Sequence, residues 1–196
     1  MGVEIVSRQV LDSSDPGGRA YHLNGSQFYR ETMPRNGQIW SRTNALSSGV
    51  MHHTAIVLYA GDVVTKVGFA SGSTAAVSPT AWWFALYSNA STPALLAQTA
   101  DQTTTAWAAD TIKEVALSSP QTITQSGVYY ITLCMTAGTP ISTIGFDANN
   151  GANAGLAGPT GVKRLSGTSG SALGGTAPAT ITSVTASRYV NYGWVL

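Results

Sequence analysis

The sequence predicts an all-β protein, an antiparallel β-sandwich or jelly-roll-like fold flanked by two less regular segments. Short apolar runs rich in β-branched and aromatic residues follow one another between residues 50 and 145, and turn-forming residues separate them. Only residues 102–113 could contain a helical turn, and their threonines argue against a longer helix. The predicted strands span residues 54–59, 63–69, 81–87, 94–98, 112–117, 121–124 and 127–135.

Two details of these strands follow from the residue pattern. In the second strand, period-two alternation places Val63, Thr65, Val67 and Phe69 on one face of the sheet. Later in the chain, residues 118–120 are predicted to form a loop between two strands, because Ser-Ser-Pro is a typical turn sequence.

Residues 1–49 form a predicted N-terminal arm. The arm holds five of the ten arginines and lysines and several turn signals, among them Asp15-Pro-Gly-Gly18. It also carries aromatic residues that a disordered tail would not normally contain. We therefore expect an ordered arm that packs on a partner. Its candidate partner-binding residues are Tyr21, Phe28, Tyr29, Arg35, Trp40 and Arg42.

Residues 146–196 form a predicted C-terminal strap, which follows the β-sandwich core of residues 50–145. Gly, Ser and Asn dominate residues 146–159 and 166–175, which favours a long loop or an extended strap over a second core. Strand character returns at residues 180–184. The aromatic residues of 188–196 predict a final strand that is paired into the sheet or into an interface.

The charge balance argues against nucleic acid and membrane partners. Ten basic and nine acidic side chains give a formal net charge of +1, so no long-range field attracts polyanions. Charged residues make up 10% of the chain, and a surface poor in charge can be buried against a neighbour at little desolvation cost. The first residues lack the pattern of a signal peptide, and no apolar run approaches the roughly 20 residues of a membrane span. We expect synthesis in a cytoplasm and a role inside an assembly.

The sequence predicts no catalytic site, no cofactor and no metal site. The nearest approach to a nucleophile elbow, Gly167-Thr-Ser-Gly-Ser171, has the wrong spacing. His52 and His53 lack metal-ligand spacing and are predicted to mark the polar start of the first strand. Cys134 lies in an apolar run and is expected to be buried and inert. A glycosidase would need two carboxylates across a cleft, which the fold would have to bring together. The acids available for this are Asp62, Asp101, Asp110, Glu114 and Asp147.

Two aromatic pairs bear on the choice between scaffold and binding module. Trp82-Trp83 and Tyr129-Tyr130 each place one ring on either face of a strand. A ring that faced outward would suit a protein interface or stacking on a sugar. The continuous apolar run of residues 81–87 favours a sheet covered on both faces, so core positions rank first, a protein interface second and a sugar site third.

The central motifs resemble a known class of viral proteins. Ala81-Trp-Trp-Phe-Ala-Leu-Tyr87, residues 95–102, Ala106-Trp-Ala-Ala109, Lys113-Glu-Val-Ala-Leu117 and Ser126-Gly-Val-Tyr-Tyr-Ile131 occur in an order similar to that of a β-sandwich module. This module is found in virion surface proteins of tailed bacteriophages, especially those of actinobacteria. The resemblance covers about half of the chain and includes neither the arm nor the strap.

The resemblance implies a structural role in a phage virion, either as a head-decoration protein or as a minor tail protein. A decoration protein would bind the major capsid protein or other virion subunits and cement the shell, and homotrimers are usual in that class. The short chain and the arm-plus-core layout favour decoration. A minor tail protein with a lectin-like sandwich, binding host cell-surface glycan, is the alternative, and rings near Trp83, Trp107 or Tyr130 would then carry the stacking.

Overall fold

A computed structural model describes residues 28–33, 40–147 and 163–196, and over these ranges the chain forms strands, turns and loops without a helix. Runs rich in Val, Ile, Thr and aromatic residues supply the longest strands, as expected of side chains that pack well on a pleated surface. The strands are β1 (Arg30–Glu31), β2 (Trp40–Ala45), β3 (Val50–Leu58), β4 (Val63–Ala70), β5 (Val77–Tyr87), β6 (Leu95–Gln98), β7 (Ile112–Thr122), β8 (Gly127–Thr139), β9 (Ser142–Asp147), β10 (Ser166–Ser169), β11 (Thr185–Ala186), β12 (Tyr189–Asn191) and β13 (Gly193–Val195).

The strands form three antiparallel sheets. One sheet has the order β1-β13-β4-β7, a second has the order β11-β10-β3-β8-β5-β6, and a third has the order β12-β9-β2. Every paired strand runs antiparallel to its neighbour. The predicted all-β, antiparallel, sandwich-like fold is confirmed, while its finer description as a jelly roll stays a prediction.

A continuous core lies between the six-stranded and the four-stranded sheet. Alternation along β5 points Trp82 and Phe84 to this side, where they meet Phe69 of β4 and Trp107 of the β6–β7 connection. The ring centroids of Trp82 and Trp107 are 5.0 Å apart, and those of Phe69 and Phe84 are 5.1 Å apart. Such tilted aromatic contacts add to the large apolar area that the rings bury. This inner core holds the two sheets together.

The outer face of the six-stranded sheet is covered by the chain itself. The other half of the alternation points Met51, Trp83, Tyr87 and Cys134 to this face, and all four side chains are buried. Residues 170–184, which we call the cover segment, lie over them and contribute Ala177 and Ile181 to the same apolar cluster. A sheet buried on both faces explains why the sequence of β5 is a near-continuous apolar run.

Hydrogen bonds tie the cover segment to the sheet beneath it. The indole N–H of Trp83 donates to the carbonyl oxygen of Gly174 over 2.8 Å, and the Tyr87 hydroxyl donates to the carbonyl of Pro178 over 2.7 Å. At the start of the segment, the Leu173 amide donates to the carbonyl of Gly49 over 2.9 Å. These bonds satisfy polar groups that burial would otherwise leave unpaired, so they fix the cover segment in one place.

The arm and the strap meet in the sheets. Strand β1 pairs with β13, and β2 pairs with β9, which in turn pairs with β12. A buried polar triad joins β2, β9 and β12. The Asn44 side-chain amide donates to Asn191 Oδ1 over 2.7 Å, and the Thr143 hydroxyl donates to the same oxygen over 2.7 Å. The predicted pairing of the final strand into a sheet is therefore correct, whereas the three-zone division at residues 49 and 145 stays a prediction.

Several strand predictions need correction. Strand β7 runs without interruption through residues 118–120, where a loop was predicted. Residues 180–184 form no strand, although Thr180 makes an isolated bridge to Ala94. Conversely, Ser166–Ser169 is a strand that pairs with β3, although its Ser-Gly-Thr-Ser sequence predicts part of a long loop or an extended strap. For β10 the pairing partner decides the outcome, because β-propensity depends on the neighbouring strand more than on the residue itself. In β7, residues 117–120 lie between the positions paired with Lys66 and Val64, so the strand continues there as an irregularity without partners in β4.

The face of β4 also differs from the prediction. Val64, Val67 and Phe69 are buried, while Val63 and Thr65 are exposed. The pairing with β7 shifts register between Val64 and Lys66, and such a shift moves the preceding residues to the opposite face.

Candidate functional site

The predicted partner-binding residues lie in two parts of the fold. Phe28 and Tyr29 immediately precede β1, whereas Arg42 lies in β2. Trp40 begins β2 and is paired with Phe146 of β9. The two other predicted residues, Tyr21 and Arg35, lie outside the described residues.

Around β1, the side chain of Arg30 adds contacts to the strand pairing that attaches the arm. Arg30 forms an ion pair with Asp62 over 3.0 Å, and both side chains are mostly shielded from solvent. Its guanidinium also lies 5.0 Å from the ring centroid of Phe28 and 5.5 Å from that of Tyr59. An arginine that is paired and stacked in this way holds its neighbours in a fixed geometry. Phe28 thus packs against the inner core.

A second cluster holds Tyr29. Its hydroxyl donates to Glu31 Oε2 over 3.0 Å and lies 3.2 Å from the Tyr192 hydroxyl, which donates to the same carboxylate oxygen over 2.7 Å. Burial, followed by the hydrogen bonds to Tyr29 and Glu31, raises the pKa of Tyr192 above its ordinary value. The half-exposed guanidinium of Arg42 pairs with the Asp110 carboxylate. The three predicted residues whose side chains are described therefore contact their own chain.

The most site-like feature is a cavity of about 620 Å³ at one end of the outer sheet face. The β5–β6 loop, the residues before β10 and the end of the cover segment enclose it. Its volume falls in the range of small-molecule sites, roughly 300–1,000 Å³. The lining residues are His53, Ala90, Ser91, Pro93, Tyr130, Lys163, Arg164, Ile181 and Val184.

The described residues that line the cavity include two cationic side chains and no carboxylate. Lys163 Nζ donates to the carbonyl oxygens of Asn89, of Ala90 over 2.9 Å and of Val128 over 3.3 Å. Burial lowers the pKa of Lys163. Because these three acceptors occupy its donors, the ammonium group ties the β5–β6 loop to β8. The salt bridges of the described residues include none to Arg164, whose positive charge nevertheless acts on both His53 and Tyr130.

His53 forms part of the cavity wall and is buried, so the prediction that His52 and His53 mark a polar strand start is wrong. Both histidines lie within β3, on opposite faces of the sheet. Desolvation lowers the pKa of His53 to about 4, with smaller contributions from the charges of His52 and Arg164. The His53 ring stacks edge-on against Tyr130 with centroids 5.6 Å apart, and its buried Nδ1 has no hydrogen-bond partner among the described residues.

Sequence reasoning missed this cavity because its residues come from five separate stretches of chain. A signal was present in the adjacent basic pair Lys163-Arg164, which is the one such pair in the sequence and interrupts a glycine-rich stretch. The sequence gives no sign that this pair lies near His53, because it does not indicate the pairing of β10 with β3.

The groups considered for catalysis are held by other parts of the fold. Burial, followed by the charge of Asp101, raises the pKa of the Cys134 thiol to about 12, so the thiol stays protonated and a poor nucleophile. Asp62 pairs with Arg30, Asp110 pairs with Arg42, and Glu114 accepts a hydrogen bond from the Trp194 indole.

Asp101 accepts hydrogen bonds from the amides of Trp82 and Thr103, each over 2.9 Å. Over the described ranges, no group of three or more His, Cys, Asp and Glu side chains is arranged to hold a metal ion. A helix long and apolar enough to cross a membrane is likewise not found within these ranges.

Comparison with known proteins gives no further identification, since no family model and no curated protein matches the chain.

Proposed function

We propose that this chain is a non-catalytic structural protein of a tailed-phage virion, made in the host cytoplasm, that decorates the capsid and stabilises its shell. The proposal rests on the motif order of residues 81–131, which resembles virion surface proteins. These motifs fall on β5, β6, β7 and β8 and on the connections between them, which together build much of the sandwich core. The pattern that carries the resemblance is thus a pattern of core packing.

The burial of Trp83, Trp107 and Tyr130 supports decoration over glycan binding. Their exposed fractions are 0%, 1% and 7%. A ring that stacks on a sugar must present one face to solvent, and these three rings are the ones named for that role. With them inside the fold, the sandwich serves as a rigid platform, and contacts with partners fall to its outer edges and flanks.

Exposed apolar side chains and a low charge content support a role at a protein interface. Among the described residues, large apolar side chains remain exposed on several strands, and charged residues make up only 10% of the chain. Burying such a surface against the major capsid protein or a second copy of this chain would desolvate few charges. The exposed large apolar side chains of the described residues are Val57, Val63, Val77, Leu96, Ile112, Phe146 and Leu165.

In a decoration protein, symmetry multiplies a weak contact. A homotrimer would present each exposed edge three times, so a modest interface per subunit would produce firm attachment to the head. The N-terminal arm, which contains the predicted residues Tyr21 and Arg35, is the part of the chain proposed to reach the capsid subunit.

Immunogold labelling of purified virions tests the proposed location. We expect gold on the heads at many positions and release of encapsidated DNA at a lower temperature from particles stripped of the protein. Labelling confined to the tail tip, or absence of the chain from purified particles, would contradict a decoration role. Deletion of residues 1–27, which leaves β1 and β2 in place, should abolish rebinding to stripped heads, while the Lys113→Gln control on β7 should rebind normally.

A further inference from the structure

The cavity beside His53 has chemistry that the proposed virion role does not use. Its walls are apolar at Ala90, Pro93, Ile181 and Val184, and its charged lining residues are Lys163 and Arg164. Apolar walls with a few convergent polar groups are the usual composition of a small-molecule site. The cavity does not depend on where the protein is located, so the inference stands apart from the proposed function.

We propose that this cavity binds a small organic anion, a carboxylate carried on an apolar body, whose carboxylate pairs with the Arg164 guanidinium. The guanidinium presents its N–H donors in a fork that matches the two oxygens of a carboxylate. No carboxylate among the described residues pairs with Arg164, and none lines the cavity.

His53 forms a neutral part of the wall beside Arg164. Its Nδ1 is buried without a hydrogen-bond partner in the described part of the chain, and because this atom is sealed from solvent a ligand in the cavity does not reach it. Desolvation lowers the pKa of the ring to about 4, so His53 adds no positive charge near neutral pH and leaves the Arg164 guanidinium to pair with the anion.

The donor count favours a carboxylate over a phosphate group. Lys163 already donates to three carbonyl oxygens, so it contributes charge to the cavity but no spare N–H. The remaining donors are the Arg164 fork and the Ser91 hydroxyl, which suffice for two oxygens. The apolar walls would stay solvated around a bare phosphate, whereas the body of an organic acid displaces that water.

Titration of the full-length protein with benzoate tests the proposal, with benzamide and inorganic phosphate as the comparison ligands. We expect benzoate to perturb the amide resonances of residues 90–93, 163–164 and 181–184 in two-dimensional NMR spectra. Benzamide has the same shape without the charge and should bind about tenfold more weakly, as expected for the loss of one charge-assisted hydrogen-bonded pair. Phosphate should bind more weakly than benzoate.

Two variants and one titration assign the effect to Arg164. Arg164→Gln should weaken benzoate binding about tenfold, while Lys66→Gln, which removes an exposed cation outside the cavity, should leave it unchanged. In the unmodified protein, saturating benzoate should raise the pKa of His53, because the bound anion offsets the Arg164 charge that helps to lower it. This last readout does not depend on whether the Arg164 variant folds.

Four outcomes would overturn the proposal. Equal binding of benzoate and benzamide would make the cavity a purely apolar pocket, and phosphate binding as tight as benzoate would make it a general anion site. Unchanged benzoate affinity in Arg164→Gln would remove the guanidinium from the account. Absence of resonance changes and of a shift in the His53 pKa at millimolar benzoate would show that the cavity does not bind an organic anion.

Discussion

Trp82 and Trp83 are adjacent in β5, yet they are buried on opposite faces of one sheet and donate their indole N–H groups to different loops. The Trp82 N–H bonds to the carbonyl of Thr105 and the Trp83 N–H to that of Gly174, both over 2.8 Å. One tryptophan thus fixes the β6–β7 connection on the inner core, and the other fixes the cover segment on the outer face. A two-residue motif thereby organises both layers of the protein.

The first prediction compares these two tryptophans. Trp82→Phe and Trp83→Phe should each lower the free energy of unfolding by about 2 kcal/mol, because each change leaves a small cavity and removes a buried hydrogen bond. Urea denaturation monitored by circular dichroism gives both values. If Trp82→Phe lowers the free energy of unfolding by this amount while Trp83→Phe leaves it unchanged, the outer face of the sheet is not covered.

The second prediction uses two glycines in the strap. A Cβ at residue 167 would lie 2.6 Å from His53 Nε2 and 2.7 Å from Val184 Cγ1, whereas a Cβ at residue 174 would meet no atom within 4 Å. Gly167→Ala should therefore destabilise the protein by about 1–3 kcal/mol, as overpacking does. Gly174→Ala, the matched control, should change its stability by less than about 0.5 kcal/mol. Equal melting temperatures of the two variants would contradict the close pairing of β10 with β3.

The third prediction concerns pH. Desolvation by burial lowers the pKa of both His52 and His53 to about 4, from an ordinary value of 6.5. Between these values the unfolded chain binds protons that the folded chain does not. The contribution to stability is therefore complete above pH 6.5 and is lost as the pH falls toward 4.

Each histidine accounts for a slope of about 1.4 kcal/mol per pH unit in that window. Urea midpoints measured across this window should decrease as the pH is lowered. In His52→Gln, the part of this pH dependence that comes from the histidines should be halved. Identical slopes in the variant and the unmodified protein would show that His52 is accessible to protons in the folded state.

The fourth prediction concerns Cys134, which is buried on the outer face of the sheet. Burial raises the pKa of its thiol to about 12, so the thiolate is scarce and shielded at neutral pH. We expect no reaction with a disulfide reagent in the folded protein and one equivalent of reaction in guanidinium chloride. Stoichiometric labelling of the folded protein, at a rate equal to that of the unfolded chain, would place the thiol outside the core.

The sequence predicts well what is encoded by local alternation. The strands of residues 81–87 and 127–135 lie within β5 and β8, and the burial of both tryptophans in Trp82-Trp83 was ranked first. These segments have the apolar content of a sheet covered on two sides, so their pattern survives in any tertiary context.

The sequence fails where pairing between distant segments decides the structure. Strand β10 has no apolar alternation and exists because it pairs with β3, more than 100 residues earlier in the chain. The same pairing buries His53 and places it in the cavity wall with Arg164, so the candidate site could not be predicted from the pattern of single strands. Residues that line a site from several segments carry no common local pattern.

The chain itself closes both faces of the six-stranded sheet, which leaves its edges and flanks as the proposed contact surfaces. Solvent exchange of the indole N–H protons, followed by NMR in deuterium oxide, tests this claim most directly. We predict slow exchange for both Trp82 and Trp83, since each indole is buried and hydrogen-bonded. Exchange of the Trp83 proton at the rate of a free indole, with the Trp82 proton still protected, would contradict it.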